Sequence, residues 1–189
     1  MSNFYYFAYG SNLLNARLKN RCASAKPIGI ASVQGFDINY GMVAKDKHGG
    51  SGKMAMFATD NGADEVFGVV YELDLADAPV LDGFEGLGRK YFMNYTRAAD
   101  FGVKLTTGEN LQTVTYLVDP HDEPPLPYHW YWALCLSGAI ENNLPKHHQD
   151  KLRAHGYMPD PHEEREGKTE AEMLLRKSGF GHLIDTPPK

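Results

Sequence analysis

The chain has 189 residues, 42% of them hydrophobic, 12% aromatic and 23% charged, with a net charge of −5. That is about one domain's length with an ordinary globular composition, which argues against a disordered chain. The acidic balance leaves no basic field for nucleic acid or for an anionic membrane, so neither is expected as a partner.

Phe4 to Tyr9 read as an aromatic strand that stops at Gly10-Ser11-Asn12. Asn12 can cap a helix whose apolar face carries Leu13, Leu14, Ala16 and Leu18. Ile28 to Val43 and Lys53 to Thr59 have strand composition, separated by a glycine-rich connection from Lys47 to Gly52. Asp60-Asn61-Gly62 signals a turn, and Val66 to Leu73 a buried strand. Asp77 can cap a short helix with Pro79 in its first turn, ending near Gly86. Tyr91 to Ala98 and Leu111 to Val118 return to strand, and Pro120 to Pro127 form a proline-rich loop. Helices are expected from Pro127 through Ala139, from Pro145 to His155, and from Thr169 to Lys177, the last opened by a capping box at Thr169–Glu172. Strands early and helices late predict a single α+β domain.

Several chemistries are excluded by missing residues. Cys22 and Cys135 form no CxxC pair, and their number suits a reducing cytoplasm. The opening residues lack the basic lead of a signal peptide, and no apolar run reaches the length of a membrane helix. Without secretion, the Asn94-Tyr95-Thr96 sequon reads as strand sequence. Lys47 to Met54 is a poor phosphate loop, because Lys47 stands where a glycine is needed and Met54 where a hydroxyl would hold magnesium. There is no GxSxG elbow and no HExxH, and the adjacent His147-His148 cannot share one helix face, so no metal site is expected. Cys135 lies in an apolar helix, which suits burial better than nucleophilicity.

Two features remain. A Gly10-Ser11-Asn12 loop entering a helix presents unpaired N–H groups to a carboxylate or phosphate, although the same residues can be a plain cap. Glu85, just before Gly86, would sit at the negative end of its helix. There the dipole disfavours the carboxylate and lifts its pKa toward that of a useful base, although a solvated last-turn glutamate has the same signature.

The run Tyr6-Phe7-Ala8-Tyr9-Gly10-Ser11-Asn12-Leu13 resembles the signature loop of the γ-glutamylcyclotransferases. Similar blocks follow in the family's order: Asp64 to Tyr71, Leu81-Asp82 with Glu85-Gly86, Tyr91, Pro124 to Tyr128, and Gly138 to Pro145. Together they span about residues 4 to 155, and dispersed blocks in order are far more specific than any one alone. Ala8 and the Ser11-Asn12 pair resemble the branch acting on γ-glutamyl amino acids. The resemblance implies a small mixed β-barrel flanked by helices, cofactor-free and often a homodimer. It implies a small γ-glutamyl substrate and release of 5-oxoproline. By position it makes Tyr9, Gly10, Ser11, Asn12 and Leu13 the loop that holds the glutamyl α-carboxylate, Glu85 the general acid/base, and Tyr128 a substrate-binding hydroxyl. Residues 156–189 carry no matching block and read as a helical C-terminal extension of the one domain.

This chemistry needs no protein nucleophile, since the substrate's own α-amine attacks its γ-carbonyl. The protein must fold the glutamyl arm and move one proton. Arg89 and Lys90 would pull the Glu85 pKa down if they pointed inward. Two other readings keep the same pocket: a sensor that binds γ-glutamyl metabolites without turnover, and a biosynthetic relative that removes a γ-glutamyl protecting group. The acidic and aromatic segment Asp119 to Trp132 would border its leaving-group pocket, against the favoured reading of the same segment as an ordinary loop and core helix.

Overall fold

Five strands close on one another in the computed structural model, which describes residues 2–46, 49–87 and 96–185. They are β1 (Asn3–Ala8), β2 (Lys26–Gln34), β5 (Glu65–Asp74), β6 (Thr96–Leu105) and β7 (Asn110–Leu117), in spatial order β1-β5-β2-β6-β7. All pair antiparallel except β1 with β7, which meet in parallel at Tyr6 and Val114 and shut the barrel. β5 is hydrogen-bonded on both sides and buried along most of its length, as its unbroken apolar run requires. The remaining strands, β3 (Phe36–Asp46) and β4 (Gly49–Ala58), form a separate antiparallel pair.

The expected Ile28–Val43 strand is two strands. Gly35 adopts φ 75°, a left-handed conformation that turns the chain out of the barrel between β2 and β3. The glycine-rich connection is also shorter than expected, because Gly49 to Gly52 already pair with β3. β6 runs on to Leu105, past the expected end at Ala98. Tyr91, the sequon asparagine, Arg89 and Lys90 lie outside the described residues.

The helices are α1 (Asn15–Arg21), α2 (Ala78–Glu85), α3 (His129–Glu141), α4 (Lys146–Ala154), α5 (Glu166–Lys177) and the single turn α6 (His182–Asp185). α3 is the central one, buried from Trp130 to Ala139 and packed against α4, α5 and the 3-10 turn Ser11–Leu13. Gly138 allows that close approach, since a Cβ there would fall 2.4 Å from the Leu14 nitrogen. α5 begins three residues before the expected capping box, and the Thr169 hydroxyl instead donates back to the Arg165 carbonyl at 3.4 Å. Asp77 does precede α2, but its carboxylate accepts from the Ser24 hydroxyl at 2.5 Å and leaves the helix uncapped by side chain.

Candidate active site

The chain leaves β1 at Ala8 and passes through Tyr9 and Gly10 into the 3-10 turn Ser11–Leu13. Within that turn the Leu13 N–H closes on the Gly10 carbonyl at 2.9 Å, so it is not part of an open anion cradle. The N–H groups of Ser11 and Asn12 are the first-turn donors that such a turn leaves without an intrahelical partner. The loop is latched from behind: the Leu13 carbonyl accepts from the Tyr71 hydroxyl at 3.0 Å and from Asn142 Nδ2 at 2.7 Å. Glu141 caps α1 through the Asn15 N–H at 2.9 Å, which is the job the sequence suggested for Asn12.

Asn12 points inward. Its Oδ1 accepts from Arg21 Nη1 at 3.1 Å, which turns Nδ2 toward Glu85 Oε1 at 2.5 Å and the Tyr6 hydroxyl at 3.2 Å. Tyr6 donates to the same Glu85 oxygen at 3.3 Å. Glu85 is the last residue of α2, fixed there because Gly86 ends the helix at φ 78° with its N–H returned to the Asp82 and Gly83 carbonyls. Both recorded hydrogen bonds fall on Oε1, and among the described residues Oε2 has no hydrogen-bond partner. Burial raises the Glu85 pKa above the usual carboxylate value, against the charge of Arg21, the Tyr6 bond, Arg17 and Asn12. Arg17 and Arg21 thus exert the opposing pull that the sequence placed at Arg89 and Lys90.

Two adjoining cavities share Glu85, Ser11 and Tyr131 as walls. The inner one, about 40 Å³, is lined by Tyr6, Tyr9, Gly10, Ser11, Asn12, Met54, Glu85, Tyr116 and Tyr131. The outer one, about 170 Å³, adds Arg17, Arg21 and Lys53 together with Met42, Phe84 and Trp130. A larger cleft of about 560 Å³ lies elsewhere, along β2 and β6, where their pairing extends only over Ala31 and Ser32. Its charged residues, Glu65 and Lys104, are not buried, so it lacks the electrostatic tension of the Glu85 site.

Five of the seven residues singled out from sequence, Tyr9, Gly10, Ser11, Asn12 and Glu85, line the inner cavity. Leu13 is fully buried behind it. Tyr128 lines neither cavity; it sits behind Lys53, whose Nζ is 5.9 Å from its ring centre, and its hydroxyl accepts from Arg165 Nη2 at 3.2 Å. The α3 tyrosine on the cavity wall is Tyr131, about one helical turn on, whose hydroxyl accepts from the Met54 N–H at 3.2 Å. Sequence reasoning also passed over Tyr6, Arg17, Arg21 and Lys53. Arg17 and Arg21 carried a usable signal, because residues four apart share one helix face. Lys53, from β4, carried none.

Among the described residues no activated nucleophile accompanies this carboxyl group. Burial pushes the Cys135 thiol up to about 12 and the Cys22 thiol up to about 11, and the Ser11 hydroxyl accepts from Arg17 Nε at 3.2 Å. A closed barrel with a buried carboxyl group, a 3-10 loop and flanking cations around two adjoining cavities is the arrangement of an enzyme site rather than of a plain structural barrel. Comparison with known proteins narrows this. Residues 65–152 match the AIG2-like family. The chain is 32% identical to the mouse γ-glutamylcyclotransferase over 155 residues, 80% of this chain and 78% of that protein, and 32% identical to the human one over 156 residues. A solved γ-glutamyl cyclotransferase superposes with a TM-score of 0.78 at 28% identity, covering 93% of this chain and 99% of that one. An uncharacterized human protein of known structure matches with a TM-score of 0.76 at 27% identity, covering 92% of this chain. The chain belongs to the γ-glutamylcyclotransferase family.

Proposed function

We propose that this protein cyclises the γ-glutamyl group of γ-glutamyl amino acids to 5-oxoproline and releases the free amino acid. The α-carboxylate end of the glutamyl arm lies in the inner cavity, against the Ser11 and Asn12 N–H groups. The α-amine faces Glu85. Glu85 takes a proton from that ammonium, the freed amine attacks the γ-carbonyl carbon, and a C–N bond closes the lactam. As the original amide C–N bond breaks, Glu85 passes its proton to the departing nitrogen, and the second proton that the attacking nitrogen sheds to become the lactam N–H leaves with the same amine, which departs as an ammonium. Holding amine and carbonyl together supplies much of the acceleration, since well-oriented intramolecular attack contributes about 7–11 kcal/mol.

The observation that carries this reading is the Glu85 carboxyl group on the wall between two cavities, its pKa lifted by burial and Oε1 held by Asn12 and Tyr6. A sensor needs no such proton carrier. The same reading makes the protein a cofactor-independent cytoplasmic enzyme, and by family resemblance a homodimer. The pairing of Glu170 with the buried Arg17 at 3.1 Å and the seat of Arg165 over the Tyr128 ring support reading residues 156–185 as part of the same domain. Incubation with γ-glutamyl amino acids, glutathione and γ-glutamyl amines should yield 5-oxoproline, most readily from the first. Saturable binding of these compounds with no 5-oxoproline from any would establish the sensor instead.

A further inference from the structure

The outer cavity holds three cations, and their partners are unequal. Arg17 is engaged by Glu170 at 3.1 Å and by the Ser11 hydroxyl. Arg21 donates to Asn12 Oδ1 and lies over the Phe84 ring at 4.9 Å. Lys53 has no hydrogen-bond acceptor and no ion pair among the described residues. Its Nζ is boxed by aromatic faces instead, 4.0 Å from the Tyr131 ring centre and 4.3 Å from that of Trp130. The nearby Asp160 is already committed, accepting from Arg165 Nε at 2.6 Å, Trp130 Nε1 at 2.9 Å and the His162 N–H at 3.1 Å.

A half-buried ammonium that shares its cavity with two arginines and sits against aromatic faces, with no ion pair among the described residues, is poorly compensated. Burial and the charge of Arg17 accordingly lower its pKa to about 7. An anion entering this cavity would supply the missing charge, and the aromatic walls would take the apolar part of the same molecule. The cavity shares Glu85, Ser11 and Tyr131 with the inner one, so it is open to the leaving group when the glutamyl α-carboxylate occupies the inner one.

We propose that Lys53 is the specificity-determining residue of a leaving-group subsite, binding the carboxylate of the amino acid released in the reaction. The proposal rests on the cyclotransferase reading of the inner cavity. It predicts that leaving groups bearing a carboxylate next to the scissile nitrogen are preferred over amines that lack one.

The test compares γ-glutamyl-alanine with γ-glutamyl-ethylamide, the same compound without the carboxylate. Wild-type kcat/KM should favour the first by about 10–100-fold, the range of one hydrogen bond between charged groups. Lys53→Met should abolish most of that ratio, and Lys53→Arg should restore part of it. A change in overall folding would lower both substrates together and leave the ratio standing. Calorimetric binding of the two compounds gives the same ratio without turnover. Failure to form 5-oxoproline from either compound would therefore count against the cyclisation, and the binding ratio would still decide the subsite. Equal values for the two substrates in wild type, or an unchanged ratio in Lys53→Met, would overturn the proposal.

Discussion

Replacing glycine by alanine in two helices should have opposite effects. In α3, a Cβ on Gly138 would fall 2.4 Å from the Leu14 nitrogen and 2.5 Å from the Leu13 carbonyl carbon and Cβ. Two of these are backbone atoms, so no side-chain rotation relieves the overlap. The turn cannot slide away easily either, because its Leu13 carbonyl is held by Tyr71 and Asn142. Overpacking of this kind costs about 1–3 kcal/mol, and the contact is severe enough to place Gly138→Ala at the upper end. The gain in helix propensity, about 1 kcal/mol, leaves a net loss near 2 kcal/mol. In α2, a Cβ on Gly83 would meet nothing within 4 Å. Gly83→Ala should therefore stabilise by about 0.5–1 kcal/mol. Urea denaturation followed by circular dichroism reads both. Gly138→Ala should also lose turnover beyond its loss of stability, because moving the turn moves Asn12 from Glu85. A Gly138→Ala midpoint at or above wild type would refute the account of how α3 supports the loop.

Gly10→Val should weaken substrate binding more than Ser11→Ala. The first carbon added at Gly10 already comes 3.1 Å from Met54 Cβ, on the wall of the inner cavity, whereas Ser11 loses only an acceptor for Arg17; equal KM values would contradict this. His148 should make the fold acid-sensitive. It is 2% exposed, its Nε2 has no partner among the described residues, and burial chiefly lowers its pKa to about 4. Between pH 6.5 and 4 the unfolded chain takes up a proton that the folded chain refuses, so this stability is present above pH 6.5 and lost as pH falls toward 4. The loss approaches about 3 kcal/mol. His148→Leu should flatten the stability profile across that window, and an unchanged slope would count against a buried neutral imidazole.

Much of this was legible in the sequence where local rules coincide with tertiary demand. The apolar run of β5, the Pro79 start and Gly86 end of α2, and the aromatic strand β1 fall where periodicity and capping put them. Errors arose where partners are distant. Asn12 has the residue type of a cap, but Glu141 takes over capping from the far end of α3 and frees Asn12 to reach Glu85. Thr169-to-Glu172 has the letters of a capping box, yet α5 starts at Glu166, ahead of it. The candidate loop and Glu85 were found through resemblance, since a last-turn glutamate looks like any other. Lys53 could not be found that way, because only the pairing of β3 with β4 and the packing of α3 bring it beside Trp130 and Tyr131.

The most direct measurement is 5-oxoproline release by Glu85→Gln beside Asp82→Asn. The glutamine is nearly isosteric and can still meet Asn12 and Tyr6, but it cannot accept a proton and return it. Asp82 lies one turn earlier, accepting from the Tyr116 hydroxyl at 2.5 Å and ion-paired with Arg97 at 2.9 Å, and lines neither cavity. Turnover of γ-glutamyl-alanine should fall by at least about 100-fold in Glu85→Gln, the lower bound for a general acid–base group, with substrate binding kept. Asp82→Asn should retain most of its activity. Near-wild-type turnover in a folded Glu85→Gln, with activity abolished in Asp82→Asn, would contradict the assignment of the proton carrier.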